Sequence, residues 1–251
     1  MIDLNVTQYV ILFLLVTLAG LIDSIAGGGG LITIPTYIAL GIPQPFILGT
    51  NKCVSTLGTT IAVLRFSRSS KVFWKMLILG IVTALIGSLL GAYLSSFLSK
   101  KYMLILLVIV IPLILYFSSH KVPAAKNFVW EKKYTMRLLL IGFLLGAYDG
   151  FFGPGTGTFL LIAFVSFLHM DYKNASIHSR MINYASNLSA FFFFLFSGKI
   201  LWKVALIAAI ASMLGNFIGS GLVLTKAEKV VRPLFFLVIC LLLIKSFYDL
   251  L

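Results

Sequence analysis

Two cations stand inside long apolar stretches, each among hydroxyl and amide side chains. Lys52 follows Gly-Thr-Asn and precedes Cys-Val-Ser-Thr, while Arg180 lies in the stretch His-Ser-Arg-Met-Ile-Asn-Tyr. A cation within a membrane costs about 3 kcal/mol unless a partner compensates it. Arginine, lysine and neutral donors together suit an oxyanion. The candidate anion ligands are therefore Thr50, Asn51, Lys52, Ser179, Arg180 and Asn183. In the alternative, both cations lie near helix ends and reach lipid head groups.

Two glycine-rich segments interrupt the apolar sequence, Gly27–Gly30 and Gly153-Pro-Gly-Thr-Gly157. Glycine destabilises a helix by about 1 kcal/mol relative to alanine, so each segment predicts a helix break. A helix that restarts after the break directs free N–H groups toward an anion. The candidate ligands here are Gly28, Gly29, Gly30, Leu31, Gly155, Thr156 and Gly157. In the alternative, the glycines only permit close packing or a sharp turn.

Asp23 and Asp149 are two of only seven carboxylates, and each precedes a glycine of one such segment by four residues. They are predicted either to carry protons or cations, or to serve the structure by capping freed N–H groups or pairing with the two cations. As an enzyme, the chain would need these aspartates to meet as an acid–base pair, which would leave the two cations without a role.

The composition predicts a polytopic membrane protein, since 60% of the 251 residues are hydrophobic, 11% are charged and the mean hydropathy is +1.07. Soluble domains carry about 25% charged residues. Spans of about 20 apolar residues are needed to cross a membrane. The expected fold is an all-α bundle of about eight transmembrane helices, near residues 8–26, 44–66, 74–97, 102–118, 136–152, 174–197, 202–224 and 232–250. Two shorter apolar pieces, 31–41 and 157–169, follow the glycine-rich segments.

The two halves of the chain resemble each other, which predicts an internal duplication. A shift of 128 residues places Lys71-x-x-Trp74-Lys75 on Lys199-x-x-Trp202-Lys203 and Lys52 on Arg180. The predicted units are a first repeat over 1–118, a basic loop over 119–135 and a second repeat over 136–251. Whether the repeats are parallel or inverted depends on whether the short apolar pieces 31–41 and 157–169 cross the membrane or re-enter it. Gly87-x-x-x-Gly91 and Gly215-x-x-x-Gly219 predict helix contacts within each repeat.

The charge distribution bears on location and partners. The chain has 20 Lys and Arg against 7 Asp and Glu, spread between apolar runs, which favours anionic lipids over nucleic acid as the partner. The cations predict a multi-pass protein of the inner cell membrane with both termini in the cytoplasm. His178 is expected at the surface near a loop. No nucleotide-binding, zinc or triad motif occurs, so we expect no catalytic residue, metal, cofactor or enzymatic activity. A homodimer is one assembly open to such a chain.

The paired glycine motifs and the length make the chain resemble the TauE/SafE family of sulfite exporters and toluenesulfonate permeases. The carriers of this resemblance are Gly27–Gly30 with Pro35, and the stretch from Asp149 to Gly157. The resemblance covers nearly the whole chain. It implies a secondary transporter for sulfite, sulfoacetate or another organosulfonate, or thiosulfate, with the anion between the broken helices. The alternative is a passive anion channel.

Overall fold

A computed structural model describes residues 4–69, 72–119 and 131–225. Those residues form nine α-helices, one 3-10 turn at Lys132–Tyr134 and no strand. The all-helical fold is therefore confirmed for the described residues. The helices are α1 Val6–Ala26, α2 Gly30–Ala39, α3 Gln44–Ser69, α4 Trp74–Ser95, α5 Lys100–Ser119, α6 Thr135–Phe151, α7 Thr156–Leu168, α8 Tyr172–Phe196 and α9 Trp202–Thr225. The predicted span 232–250 and most of the predicted basic loop lie outside the described residues.

Three helices are long and apolar enough to cross a membrane, over Val6–Ile25, Trp74–Ser95 and Trp202–Val223. Their outward faces are apolar, as on α4, where Val82, Ile86 and Leu90 are about half exposed. Apolar side chains facing outward along a whole helix suit lipid rather than water. The described part of the chain is thus that of a membrane protein. Two further long helices, α3 and α8, carry more polar side chains.

Both predicted helix breaks are present. α1 ends at Gly27, whose φ of 84° is in the left-handed region that glycine adopts without strain. α2 begins three residues later at Gly30. In the second half, α6 ends at Phe151 and α7 begins at Thr156, after Gly153 and Gly155, which also have positive φ. We call residues 27–29 the first break and residues 152–155 the second break.

Close packing of small residues joins the two halves of the fold, α1–α4 and α6–α9. α1 packs along α9, with Gly215 against Thr17 and Gly219 against Ser24. Because both residue numbers rise together, the two helices run in the same direction. The prediction that this glycine pair makes contacts within one repeat is wrong, since α1 and α9 belong to different halves.

α4 and α6 pack in the same way. Gly87 lies against Phe143 and Gly91 against Ala147, so these helices also run in the same direction. Here too the prediction of contacts within one repeat is wrong. Close approach of backbones at small residues is the usual way in which membrane helices associate. The halves are therefore held together by two equivalent helix pairs.

The remaining contacts give the directions of the other long helices. α3 follows α9, with Gly58 against Ser212 and Arg65 bonded to the Phe217 carbonyl. α3 and α8 are antiparallel, since Gly49 lies against Phe194 whereas Lys52 reaches back to Asn187.

Helices α1, α3 and α9 thus point one way and α4, α6 and α8 the other. Corresponding helices of the halves, α1 and α6, α3 and α8, α4 and α9, run in opposite directions. The short helices α2 and α7 turn the chain back between two parallel long helices. The question of orientation left open by the sequence is thus answered in favour of an inverted arrangement of the halves, whereas the duplication itself stays a prediction.

Candidate functional site

The two breaks meet at the centre of the structure. Gly27 lies directly against Gly157, and Gly30 lies against Pro154. A Cβ atom on Gly27 would stand 2.6 Å from the Arg180 guanidinium, and one on Gly157 would stand 2.6 Å from the same group. Only glycine lets both backbones approach each other and Arg180 this closely. The glycines thus provide close packing, and they bring non-helical backbone next to a cation.

Both candidate cations are buried, each with 1% exposure, in contact with an aspartate of the other half. Lys52 on α3 places its Nζ 2.8 Å from Asp149 Oδ2 and donates to Asn187 Oδ1 at 3.0 Å. Arg180 on α8 places an Nη 3.6 Å from Asp23 Oδ1. The alternative that these cations reach lipid head groups is wrong. Burial is tolerated because each charge has an opposite charge beside it.

Asp23 serves two purposes at the first break. Its Oδ1 accepts the Gly29 N–H at 3.1 Å and its Oδ2 accepts the Thr59 hydroxyl at 3.3 Å. In the structure Asp23 thus caps a freed backbone donor and pairs with Arg180. Asp149 is held differently, by Lys52 and by the Ser186 hydroxyl at 2.7 Å, both on Oδ2.

A small polar cavity of about 10 Å³ lies among the breaks and the charged groups. This volume accommodates about one water molecule. A sulfite or sulfonate group has four or more heavy atoms, so its binding requires the walls to separate. The lining residues are Asp23, Gly27, Gly30, Asn51, Lys52, Ser55, Asp149, Gly153, Asn183 and Asn187.

Helical spacing explains how α3 and α8 supply most of the polar lining. Ser55 follows Lys52 by three residues, and Asn183 and Asn187 follow Arg180 by three and seven. Residues at these intervals share one face of a helix. Ser55 and Asn187, with Ser186 beside them, were not among the candidate residues. They belong to the same polar stretches as the two cations, and their helical spacing from those cations is the signal that could have selected them.

Several predicted ligands are engaged in local structure instead. The Gly28 carbonyl accepts the Leu31 N–H at 2.9 Å, and the Gly29 carbonyl accepts from Thr33 at 3.0 Å, which forms the first turn of α2. The Leu31 side chain is buried in the apolar core. In the second break Gly155 has φ 80°, and Thr156 donates to the Gly153 carbonyl at 2.8 Å. In this conformation Asp23 already occupies the Gly29 N–H, the donor that was expected to face the anion.

Thr50 and Ser179 are buried but do not line the cavity. Ser179 donates to the Ser176 carbonyl at 2.9 Å. Thr50 accepts the N–H of Leu201, at the start of α9, at 3.0 Å. Asn51 does line the cavity, and its Oδ1 accepts from the Thr33 hydroxyl. Of the candidate side chains, Asn51, Lys52, Asn183, Asp23 and Asp149 line the cavity, and Arg180 stands beside it at Gly27 and Gly157.

His178 makes the counterpart of the Thr50 contact, because a shift of 128 residues carries Thr50 to His178 and Phe73 to Leu201. The Phe73 N–H donates to His178 Nε2 at 2.9 Å, and Nδ1 lies 2.8 Å from the Asn174 carbonyl. Since an amide can only donate, Nε2 accepts and Nδ1 donates, which assigns the neutral imidazole. The expectation of a surface histidine is wrong, because His178 is fully buried and stacks on Phe73.

The site combines two buried cations with two carboxylates and several amide side chains. Among residues 4–69, 72–119 and 131–225, no group of three or more His, Cys, Asp or Glu could hold a metal ion. Two buried cations, amide donors and two helix starts instead meet where helices are broken. Broken helices that meet at a charged central site between oppositely directed halves are characteristic of secondary transporters.

The comparisons with known proteins identify the family. The sequence model of the sulfite exporter TauE/SafE family matches residues 12–246. The chain is 36% identical to a probable membrane transporter protein of Haemophilus influenzae, over 98% of this chain and 97% of that protein. It is 36% identical to the probable membrane transporter protein ORF9 of Sinorhizobium, over 98% and 95% of the two chains. It is 35% identical to the probable membrane transporter protein YfcA of Escherichia coli K12, over 95% and 89%. The chain belongs to the TauE/SafE family, and it is a membrane protein of a transporter family.

Proposed function

We propose that this protein is a secondary transporter of a small sulfur-containing anion: sulfite, thiosulfate, or an organosulfonate such as sulfoacetate. The observation that carries the proposal is the meeting of Lys52 and Arg180, both buried, with the two breaks. Family membership supports the substrate class, since the matched family is described as sulfite exporters. The relatives are named probable membrane transporter proteins, which supports transport without indicating a substrate.

The anion is proposed to bind in the cavity between α3 and α8. Lys52 and Arg180 neutralise its charge, and Arg180 offers paired donors that match two oxygens of a sulfonate. Asn51 and Asn183 supply neutral donors from the facing helices. The first turns of α2 and α7 contribute the positive ends of their helix dipoles. The cavity residues Ser55 and Asn187 complete the set.

Alternating access follows from the inverted arrangement. Two halves of opposite direction can rock about a central site, so that the cavity opens first to one side of the membrane and then to the other. The glycine contacts between the breaks lie where such rocking would have its pivot. The present conformation, with room for about one water molecule, corresponds to a closed state.

We place the protein in the inner cell membrane, with the more basic end of the described residues in the cytoplasm. The end at which α4, α6 and α8 begin carries Arg65, Arg68, Lys75, Lys132, Lys133, Arg137 and Lys173, against Lys100, Lys101, Lys199 and Lys203 at the other end. Basic residues favour the cytoplasmic side. Since α1 begins at the less basic end, its N-terminus faces outward, unlike the cytoplasmic N-terminus expected from sequence. Labelling of a cysteine placed at Asn5 from outside intact cells tests this orientation.

Electrical recording from proteoliposomes tests the function. Jumps of sulfite, sulfoacetate, thiosulfate and chloride are applied to the wild type, Arg180→Ala and Arg137→Ala. Arg137 is the matched control, because it is an exposed arginine that bonds to the Phe167 carbonyl and does not line the cavity. We expect saturable currents for sulfur anions, none for chloride, loss in Arg180→Ala and retention in Arg137→Ala.

Other outcomes separate the alternatives. A current linear in concentration and similar for every anion would indicate a passive channel instead. Unchanged affinity in Arg180→Ala would overturn the site. If no current appears for any anion, calorimetric binding of the same four anions decides, and absence of binding rejects the proposed function.

A further inference from the structure

The site is electrically neutral before any anion enters it. Lys52 and Arg180 contribute two positive charges, and Asp149 and Asp23 contribute two negative charges. An anion that entered a cavity this small and this buried would add an unbalanced charge where solvent screens little. It would also find Lys52 already in contact with a carboxylate. Anion entry therefore requires both a displaced carboxylate and a compensating positive charge.

The two aspartates differ in how readily they can be displaced. Asp23 caps the Gly29 N–H and accepts from Thr59, so it holds the first break in place as well as facing Arg180. Asp149 is held by side-chain donors, Lys52 and Ser186, and both contacts end on Oδ2. Releasing Asp149 from Lys52 leaves the backbone of both breaks intact. Asp149 is thus the carboxylate that an anion can replace.

We propose that the substrate anion takes the place of Asp149 on Lys52, and that the displaced carboxylate binds a proton. This inference rests on the proposed function and assigns its coupling ion. The proton comes from water on the side to which the cavity is open and returns to water when the anion leaves on the other side. Proton and anion therefore move together, as in symport. The protonated carboxyl is a neutral group, so one proton offsets one negative charge of the anion, and a dianion such as sulfoacetate moves with a remaining net charge of −1.

The groups that surround Asp149 are consistent with a single proton site. Lys52 on α3 faces Asp149, and Tyr148 is its neighbour on α6. Asp23 on α1 also attracts the charge of Lys52. Tyr148 is engaged with the Pro154 carbonyl at 2.6 Å. Arg180 of α8 lies nearer Asp23. Of these groups, only Asp149 separates from its cation when the anion enters and can then accept a proton.

Sulfoacetate is the probe of choice, because both of its acidic groups stay ionised between pH 6 and pH 8, so any pH dependence belongs to the protein. Binding is measured by calorimetry in detergent across this range. If one proton binds with each anion, the dissociation constant of the wild type rises up to about tenfold per pH unit on the alkaline side. Asp149→Asn, a permanently neutral mimic, should bind sulfoacetate with a dissociation constant independent of pH. The control is Asp171→Asn, which alters a carboxylate that caps α8.

Transport gives a second, independent measurement on the wild type. Proteoliposomes that contain a pH-sensitive dye report proton entry during sulfoacetate uptake, and we expect one proton per sulfoacetate. Asp149→Asn should exchange labelled for unlabelled sulfoacetate without moving protons. A ratio of zero in the wild type, or pH-dependent binding retained in Asp149→Asn, would contradict the coupling alone. Absence of sulfoacetate, sulfite and thiosulfate binding in the wild type would instead contradict the proposed function, and the coupling with it.

Discussion

The two halves hold their charged groups with different tightness. The lysine pair is closed, with 2.8 Å between Lys52 and Asp149 and side-chain exposures of 1% and 2%. The arginine pair is looser, with 3.6 Å between Arg180 and Asp23 and 15% exposure of the aspartate. Equivalent positions in one architecture thus have different chemistry. We infer that Asp23 is primarily a structural cap, whereas the buried charge of Asp149 is stabilised mainly by Lys52.

Two further hydrogen bonds connect the halves, and their acceptor side chains also differ. Thr50 accepts the Leu201 N–H at one end of the molecule, and His178 accepts the Phe73 N–H at the opposite end. A hydroxyl can accept in any ionisation state of its surroundings, whereas an imidazole accepts at Nε2 only when neutral. The two halves therefore share the backbone geometry, but threonine accepts this hydrogen bond in one contact and histidine accepts it in the other.

Breaking the two ion pairs should give the largest difference. Lys52→Ala leaves Asp149 buried without its cation, and we expect a loss of about 3–5 kcal/mol in the free energy of unfolding. Arg180→Ala should cost clearly less, because Asp23 keeps the Gly29 and Thr59 donors. Thermal unfolding in detergent measures both variants. The double variant Lys52→Met with Asp149→Leu should regain most of the stability, and equal losses in the two single variants would refute the comparison.

Glycine substitutions separate close packing from backbone conformation. Gly27 and Gly41 both have positive φ, at 84° and 75°, but a Cβ atom on Gly41 would meet nothing within 4 Å. Gly27→Ala should therefore cost about 1–3 kcal/mol more than Gly41→Ala, since it adds overpacking against Gly157 and Arg180 to the same backbone strain. The same unfolding assay decides. If both variants lose equal stability, the breaks do not need close contact.

Replacing His178 or Thr50 compares these two hydrogen bonds between the halves. His178→Ala leaves the Phe73 N–H without its acceptor and also removes a ring stacked on Phe73, so we expect a loss of about 1–3 kcal/mol. Thr50→Ala should cost about 1 kcal/mol, because a smaller side chain is removed. His178→Gln, whose amide oxygen can accept, should recover part of the loss. If His178→Ala were as stable as the wild type, the hydrogen bond between Phe73 and His178 would contribute nothing to the free energy of unfolding.

The hydroxyls that bond the two aspartates should have smaller effects than the cations that pair with them. Ser186→Ala removes a 2.7 Å bond to Asp149, and Thr59→Val removes a 3.3 Å bond to Asp23. We expect about 1.5 kcal/mol for Ser186→Ala and less for Thr59→Val, since the longer bond is weaker and Asp23 keeps a backbone donor. Chemical denaturation resolves the order, and a larger loss in Thr59→Val would reverse our assignment of Asp149 as the more dependent carboxylate.

Sequence patterns alone predicted the helical fold and much of the site's composition. Apolar runs of sufficient length predicted the helices, because every backbone group in a membrane must bond within its own segment. Glycines predicted both breaks, since helix propensity is a local property. Asn51, Lys52 and Asn183 were identified as polar residues inside apolar segments and do line the cavity. Ser55 and Asn187 lie in the same polar stretches as the two cations but were not selected as ligands.

Tertiary structure decided everything that depends on helix direction. The short helices α2 and α7 return the chain, which makes the halves inverted and brings each cation to the aspartate of the other half. For the same reason, Gly87 and Gly215 join the halves rather than packing within them, and His178 is buried against Phe73. The sequence by itself determined which residues are helical, broken and charged, because those properties act over a few residues. Only the fold decided which of them meet, because a linear pattern carries no record of the direction in which each helix crosses.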